Sequence, residues 1–345
     1  MALFGTAPGF WWREAPGVRS RLLALPALAY GTVARRNLER GARVQAPLAV
    51  ICVGNPTVGG GGKTPTALAL GRAALALGRK PGFLSRGHGG QAGAPLLVDP
   101  VRHAADLVGD EPMLLADLAP TVVGRDRAAG ARLLAEAGCD LAIMDDGFQS
   151  ARLRFDLALL VVDARRGLGN GRLLPAGPLR APLDAQIAHA DAWLLVGDTL
   201  PGGVLASRLG QSGLPIHRAA TFAPNAAEFQ GRRCLAFAGI ADPEKFYASL
   251  RLAGAEIVAT RSFPDHHAFT AENARDLLGE ADSLGLDLVT TAKDKARFRS
   301  QDTGPMRGLN RLAKVLQAEL RFAESDTGEA LVRAALARFA ERASA

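Results

Sequence analysis

Cysteine is scarce in this chain: Cys52, Cys139 and Cys234 are the only three, far apart and each inside an apolar run. That spacing excludes a zinc knuckle and a disulfide framework, and it reads as buried thiols of a cytosolic chain. No apolar run crosses a bilayer comfortably. The N-terminal one, Leu22 to Val33, has 12 residues and is interrupted by Pro26, against the roughly 20 that a span needs. No small-residue cleavage site follows it, so a removed signal peptide is not expected. Strict repeats and low-complexity tracts are absent as well. Charge is nearly even outside the N-terminus. Of the net +7, residues 1 to 45 hold +5 (seven arginines against two glutamates), leaving +2 for the other 300. This excludes a nucleic-acid face spread over the fold and sets an anionic surface against the N-terminus.

What the chain does have begins with Phe10-Trp11-Trp12, Arg19 and Arg21, the apolar run, then Arg35-Arg36. Aromatic side chains at one end and arginines at both suit a helix lying at a lipid interface, with guanidinium groups on anionic headgroups. A helix packed on the neighbouring domain is the other reading, and the two are compatible. Leu48 to Leu70, LAVICVGNPTVGGGGKTPTALAL, follows. An apolar strand runs into a glycine turn and then a helix, the order a phosphate-binding loop requires. Gly59, Gly60, Gly61 and Gly62 let backbone N–H groups converge on anionic oxygens, Lys63 reaches the β/γ-phosphates, and the Thr64 hydroxyl ligates Mg²⁺. The usual pattern has glycine six residues before the lysine, where this chain has Thr57. Four successive glycines cost too much chain entropy to be expected in a bare connector.

Further on, Ser85-Arg86-Gly87-His88-Gly89-Gly90 ends a short strand at the edge where α/β ligands bind, so Arg86 is either a ligand residue or a solvated loop arginine. Asp110 and Glu111 open an apolar helical stretch. Helix capping is the ordinary role for such a pair; accepting the proton of an attacking hydroxyl is the functional one. Asp145 and Asp146 close another buried strand downstream of the glycine loop, where Mg²⁺ coordination is expected and would relieve their mutual repulsion. A Gly/Pro/Arg-rich loop then leads to Arg180, a candidate phosphate contact.

The ordered set TVGGGGKTP, SRGxG, GDEP, DDGFQ and PAGPLR continues with FAGIADPEKF (Phe237 to Phe246), FPDHHAF (Phe263 to Phe269) and TTAKD (Thr290 to Asp294). Behind a basic N-terminus, this set resembles the tetraacyldisaccharide 4′-kinases of lipid A synthesis over nearly the whole chain. The Thr57 variant of the loop is what this family looks like. The resemblance implies a P-loop kinase that uses Mg-ATP to phosphorylate the 4′-hydroxyl of an acylated glucosamine disaccharide 1-phosphate. It places the protein at the cytoplasmic face of a bacterial inner membrane, with no obligate protein partner. It makes Asp110 the general base, paired with His266, which only the family pattern prefers over His267. Asp265 and Glu111 join the acceptor side, Arg86 and Arg180 face phosphates, and Asp145 and Asp146 serve metal and nucleotide. Two positions depart from the family pattern: His88 stands where tyrosine is frequent, and Ser150 where histidine is. A P-loop ATPase or switch without a lipid acceptor is the rival reading.

The expected fold is α/β and P-loop-like, a mostly parallel sheet flanked by helices with a second, smaller α/β unit. Residues 1–45 form the membrane-associating segment, 46–190 the kinase core, and 191–345 the smaller portion that supplies FPDHH. Thr327 to Ala343 has the apolar spacing of a closing helix.

Overall fold

The structure, a computed structural model, describes residues 7–344 except residues 14, 41–42, 60, 151, 198–204 and 206–208. Strands β1 (Ala49–Gly54), β2 (Pro81–Ser85), β3 (Leu96–Leu97), β4 (Thr121–Val123), β5 (Leu141–Asp145), β6 (Leu157–Asp163), β7 (Ala192–Val196) and β8 (Ile216–Phe222) precede a second group. That group is β9 (Arg233–Ala238), β10 (Glu256–Ser262), β11 (Asp287–Thr291) and β12 (Lys314–Leu316), and β13 (Glu319–Phe322) follows it. The larger sheet has the order β13-β8-β7-β6-β1-β5-β2-β4-β3, and only its edge strands β13 and β3 run antiparallel. The smaller sheet, β10-β9-β11-β12, is parallel throughout.

β1, β5 and β6 are near-continuous apolar runs because helices cover both faces of a parallel sheet. Val50 and Cys52 face one side with Met144, Leu160 and Trp193. Ile51 and Val53 face the other, against Leu70 of the Lys63–Ala76 helix and Val332 of the closing helix, Thr327–Ser344. Buried Arg342 fixes that closing helix by pairing with Asp156 at 3.0 Å. Connections leave β1 toward β2 on one side and leave β6 toward β7 on the other. Their carboxyl ends therefore border the crevice in which open α/β sheets bind ligands.

The sheets divide the chain differently from the expected boundary at 190/191. β7, β8, β13 and the closing helix belong to the larger sheet, so the second unit spans residues 233–316, inserted between β8 and β13. A buried βα alternation looks alike in either sheet; pairing decides membership, and β7 pairs with β6 in parallel from Leu159–Ala192 to Asp163–Val196. β8, a half-exposed strand of mixed sequence, carries no apolar run to announce it.

The N-terminal segment folds as two helices, Val18–Leu22 and Ala24–Arg40, with Pro26 in the first turn of the second, where its missing N–H costs nothing. They dock on the loop before Arg180. The Trp11 indole donates to the Pro175 carbonyl at 3.0 Å, Ser20 Oγ to Ala176 O at 2.7 Å, and Tyr30 OH to Arg180 O at 2.9 Å. No helix among the described residues is long and apolar enough to cross a membrane.

Candidate active site

The glycine loop leaves β1 at Gly54 and enters its helix at Lys63. Gly59 (φ +110°) and Gly62 (φ +84°) lie in the left-handed region that disfavours side chains; Gly60 is outside the described residues. Thr57 does not share that conformation. It makes an isolated bridge with Leu179, and its carbonyl accepts from Arg180 Nε at 3.0 Å. At this position the loop is tied to a neighbouring segment, and glycine is not required. Asn55 braces the turn: its Nδ2 donates to Gly59 O at 3.1 Å, and Lys63 Nζ donates to its Oδ1 at 3.4 Å.

At the end of β5, Thr64 Oγ1 donates to Asp145 Oδ2 at 2.8 Å, while Asp145 Oδ1 is buried with no hydrogen-bond partner. Burial, followed by the nearby charge of Glu111, pushes the Asp145 carboxyl up to about 7, against the pull of Lys63 and the Thr64 hydrogen bond. A buried, orphaned carboxylate oxygen beside a loop threonine is a donor set that fits Mg²⁺. Asp146 is different. Its backbone is left-handed (φ 56°), and its carboxylate takes Arg180 Nη1 at 3.0 Å and lies 3.7 Å from Lys63 Nζ. Burial opposes its ionisation, but Lys63 and Arg180 prevail and hold the carboxyl below its ordinary value. Arg180, expected to face phosphate, is thus occupied by Asp146 and the Thr57 carbonyl. Arg86 is exposed and makes no hydrogen bond or ion pair among the described residues, which leaves its guanidinium available to an anion.

The environment of Asp145 gives a stability prediction. A carboxyl raised in the folded state costs stability once it ionises. The cost is absent below the unfolded value near 3.9 and complete above about 7. Asp145→Asn should therefore stabilise the nucleotide-free protein by up to about 4 kcal/mol at pH 8, with the gain fading toward pH 4. Thermal melts across that range check it; a gain that grows on acidification would contradict it.

Asp110 begins the helix Asp110–Ala116, behind Gly109 (φ +94°), and does not cap it: Gly109 is the N-cap and provides no side-chain bond. Instead Asp110 Oδ2 lies 3.3 Å from His266 Nδ1 and accepts from Arg297 Nε at 3.0 Å, while Oδ1 accepts from Glu111 N at 2.9 Å. Burial works against its charge, but the hydrogen bond to His266 and the charges of Lys293 and Arg297 hold the carboxyl well below its usual range. That same hydrogen bond raises the His266 pKa. His266 is left-handed (φ 58°), with Asp265 Oδ2 3.9 Å from its Nε2 and His88 edge-on at 5.5 Å. His88, one of the two departures from the family pattern, is therefore part of this cluster. Ser150, the other, donates from Oγ to Gly147 O at 2.8 Å. His267 turns away, stacked on Phe263 and bonded to Asn273.

Two residues with no role assigned from sequence complete the site. The helix Ala292–Phe298 of the second unit presents Lys293 and Arg297 one turn apart, so both side chains reach the same neighbour. Lys293 pairs with Glu111 at 2.6 Å and Arg297 with Asp110. The TTAKD motif announced the place, but nothing in its spacing names a carboxylate across the cleft.

The sequence profile of the tetraacyldisaccharide-1-P 4′-kinase family matches residues 19–337. The chain belongs to that family. Relatives named tetraacyldisaccharide 4′-kinase include those of Chelativorans sp. (strain BNC1), 48% identical over 97% of both chains, and Sinorhizobium fredii, 50% identical over 96% of this chain and 95% of the relative. That of Brucella suis is 47% identical over 97% of this chain and 98% of the relative. Among solved structures, LpxK from Aquifex aeolicus in complex with ATP superposes with a TM-score of 0.71 at 26% identity, over 93% of this chain and all of that one. The three relatives match this chain over nearly their whole length, and LpxK from Aquifex aeolicus shares its architecture.

Proposed function

We propose that this chain transfers the γ-phosphoryl group of ATP to the 4′-hydroxyl of a tetraacylated glucosamine disaccharide 1-phosphate, in line and at a membrane surface. The observation that carries this reading is the joining of Asp110 to His266, with Glu111, next to Asp110, near enough to Lys63 and Asp145 for its charge to act on both. A switch ATPase has no need of a second unit that presents a carboxylate–imidazole pair beside the phosphate loop. Loop N–H groups and Lys63 neutralise phosphate charge. Thr64 and Asp145 would hold Mg²⁺, which when bound offsets charge on the phosphates. Asp110 takes the proton of the sugar hydroxyl, and His266 orients it. Its partners favour the ionised form of Asp110, the one able to accept that proton. Arg86 meets a substrate phosphate. ATP consumption should depend on the disaccharide and vanish with its 4′-deoxy analogue; equal consumption without any acceptor would favour the switch reading.

The acceptor's acyl chains call for a lipid-facing surface, and the N-terminal helices offer one. Their inner side is fastened to the core by Ser20 and Tyr30, and the turn before them by Trp11. Outward stand Val18, Leu22, Leu25 and Leu28, 63–78% exposed, flanked by Arg19 and Arg21. Apolar side chains this exposed on a basic segment suit an anionic bilayer surface. Leu22→Glu combined with Leu25→Glu should abolish flotation with vesicles containing phosphatidylglycerol while leaving ATP binding intact. Undiminished flotation would remove the membrane role from these helices.

A further inference from the structure

We propose that Arg297 is a positioning residue for phosphoryl transfer: carried by the second unit, it fixes both Asp110 and the loop that bears His266. The proposal rests on the reading of Asp110 as proton acceptor. The Arg297 side chain is 7% exposed, and all three guanidinium nitrogens are engaged. Nε and Nη2 both reach Asp110 Oδ2, the former at 3.0 Å, while Nη1 donates to Gly239 O and to Asp294 Oδ1, each at 2.6 Å. A fork held at every prong cannot rotate, so it sets the carboxylate's direction as well as its charge.

Its anchors are themselves fixed. Asp294 Oδ2 accepts from Thr291 Oγ1 at 2.7 Å, and its Oδ1 accepts from Gly239 N at 3.0 Å. The Gly239 carbonyl that receives Arg297 also receives the His266 N–H at 3.1 Å. Gly239 is closely packed, since a Cβ there would stand 3.1–3.2 Å from His267, Asp294 and Pro264. One guanidinium therefore links the carboxylate that opens the Asp110–Ala116 helix to the loop that supplies its histidine. An ordinary ion pair between the two units would not end on both members.

The charged groups facing Asp110 are Arg297, Lys293 and Asp294 from the second unit's helix, His266 and Asp265 from the loop after β10, and Glu111 on its own helix. His88 stands behind His266. Removing Arg297 leaves burial opposed by His266 and Lys293 alone, so the carboxyl rises toward its ordinary range and ionises later on titration.

Four variants test this: Arg297→Met, Arg297→Lys, Asp110→Asn and the Arg297→Met/Asp110→Asn double, with kcat, KM for ATP and the pH profile measured for each. Arg297→Met should lose on the order of 10²-fold in kcat, keep its KM for ATP, and move the acidic limb of its pH profile to higher pH. Arg297→Lys, with one compact donor in place of a fork, should fall between it and the parent. The double variant should be no slower than Asp110→Asn alone, because both remove one function. An unmoved acidic limb, with losses that multiply in full in the double variant, would reduce Arg297 to a structural tie. If Arg297→Met fails to bind ATP, Arg297→Lys decides: parental kcat and pH profile in that variant would overturn the proposal. Near-parental turnover of Asp110→Asn would instead remove the reading on which the proposal stands.

Discussion

Replacing Asp110 with asparagine should lower kcat by about 10²- to 10⁴-fold, the range general-base groups contribute, with ATP affinity nearly unchanged. Asparagine is the informative substitution. Its carbonyl still accepts from Arg297, so the clamp keeps a partner and the fold keeps its shape, while the amide cannot take a proton. Alanine would confuse the two effects by leaving the buried Arg297 guanidinium with one carboxylate fewer, a loss worth about 3–5 kcal/mol when a buried pair is broken. Steady-state kinetics with saturating ATP and disaccharide measure the effect, and near-normal turnover would exclude Asp110 as the base.

Lys63→Met should fail differently. Lys63 is buried, and burial pushes its pKa down while Asp146 and Asp145 pull it up. Its charge is the balance for those carboxylates and for the phosphates that displace water from the loop. Its loss should cost about 10²- to 10³-fold in kcat, and, unlike the loss of Asp110, raise KM for ATP at the same time. Nucleotide titration of both variants separates donor from acceptor machinery. A Lys63→Met protein that binds and turns over ATP normally would contradict the loop assignment.

The donor half of this site was legible in the sequence because it is local. A buried run, glycines, Lys63 and Thr64 lie between Ala49 and Thr64, and Asp145 closes the strand that pairs with β1 from Ala49–Leu141 to Val53–Asp145. The acceptor half was legible only by resemblance. Asp110 and His266 are 156 residues apart in the chain, and spacing alone favoured capping as the role of Asp110, whereas the structure has Gly109 at the cap. Arg180 was read as a phosphate contact from its place in a basic loop, and its partners in the structure, Asp146 and the Thr57 carbonyl, are brought to it by folding and have no local sequence signal. Lys293 and Arg297 passed unassigned because a helix motif names its own face and never the element opposite. The second unit's limits were missed likewise, since only two residues separate the end of β12 from β13, which returns to the larger sheet.

The central claim is that the phosphate loop and the Asp110–His266 pair are two halves of one transfer site. Following the label from γ-labelled ATP, with Mg²⁺ and vesicles carrying tetraacyldisaccharide 1-phosphate, tests it most directly. The expected result is label on the 4′-oxygen of the lipid in equal amount to the ADP formed. Label released as inorganic phosphate, at a rate indifferent to the lipid, would contradict it.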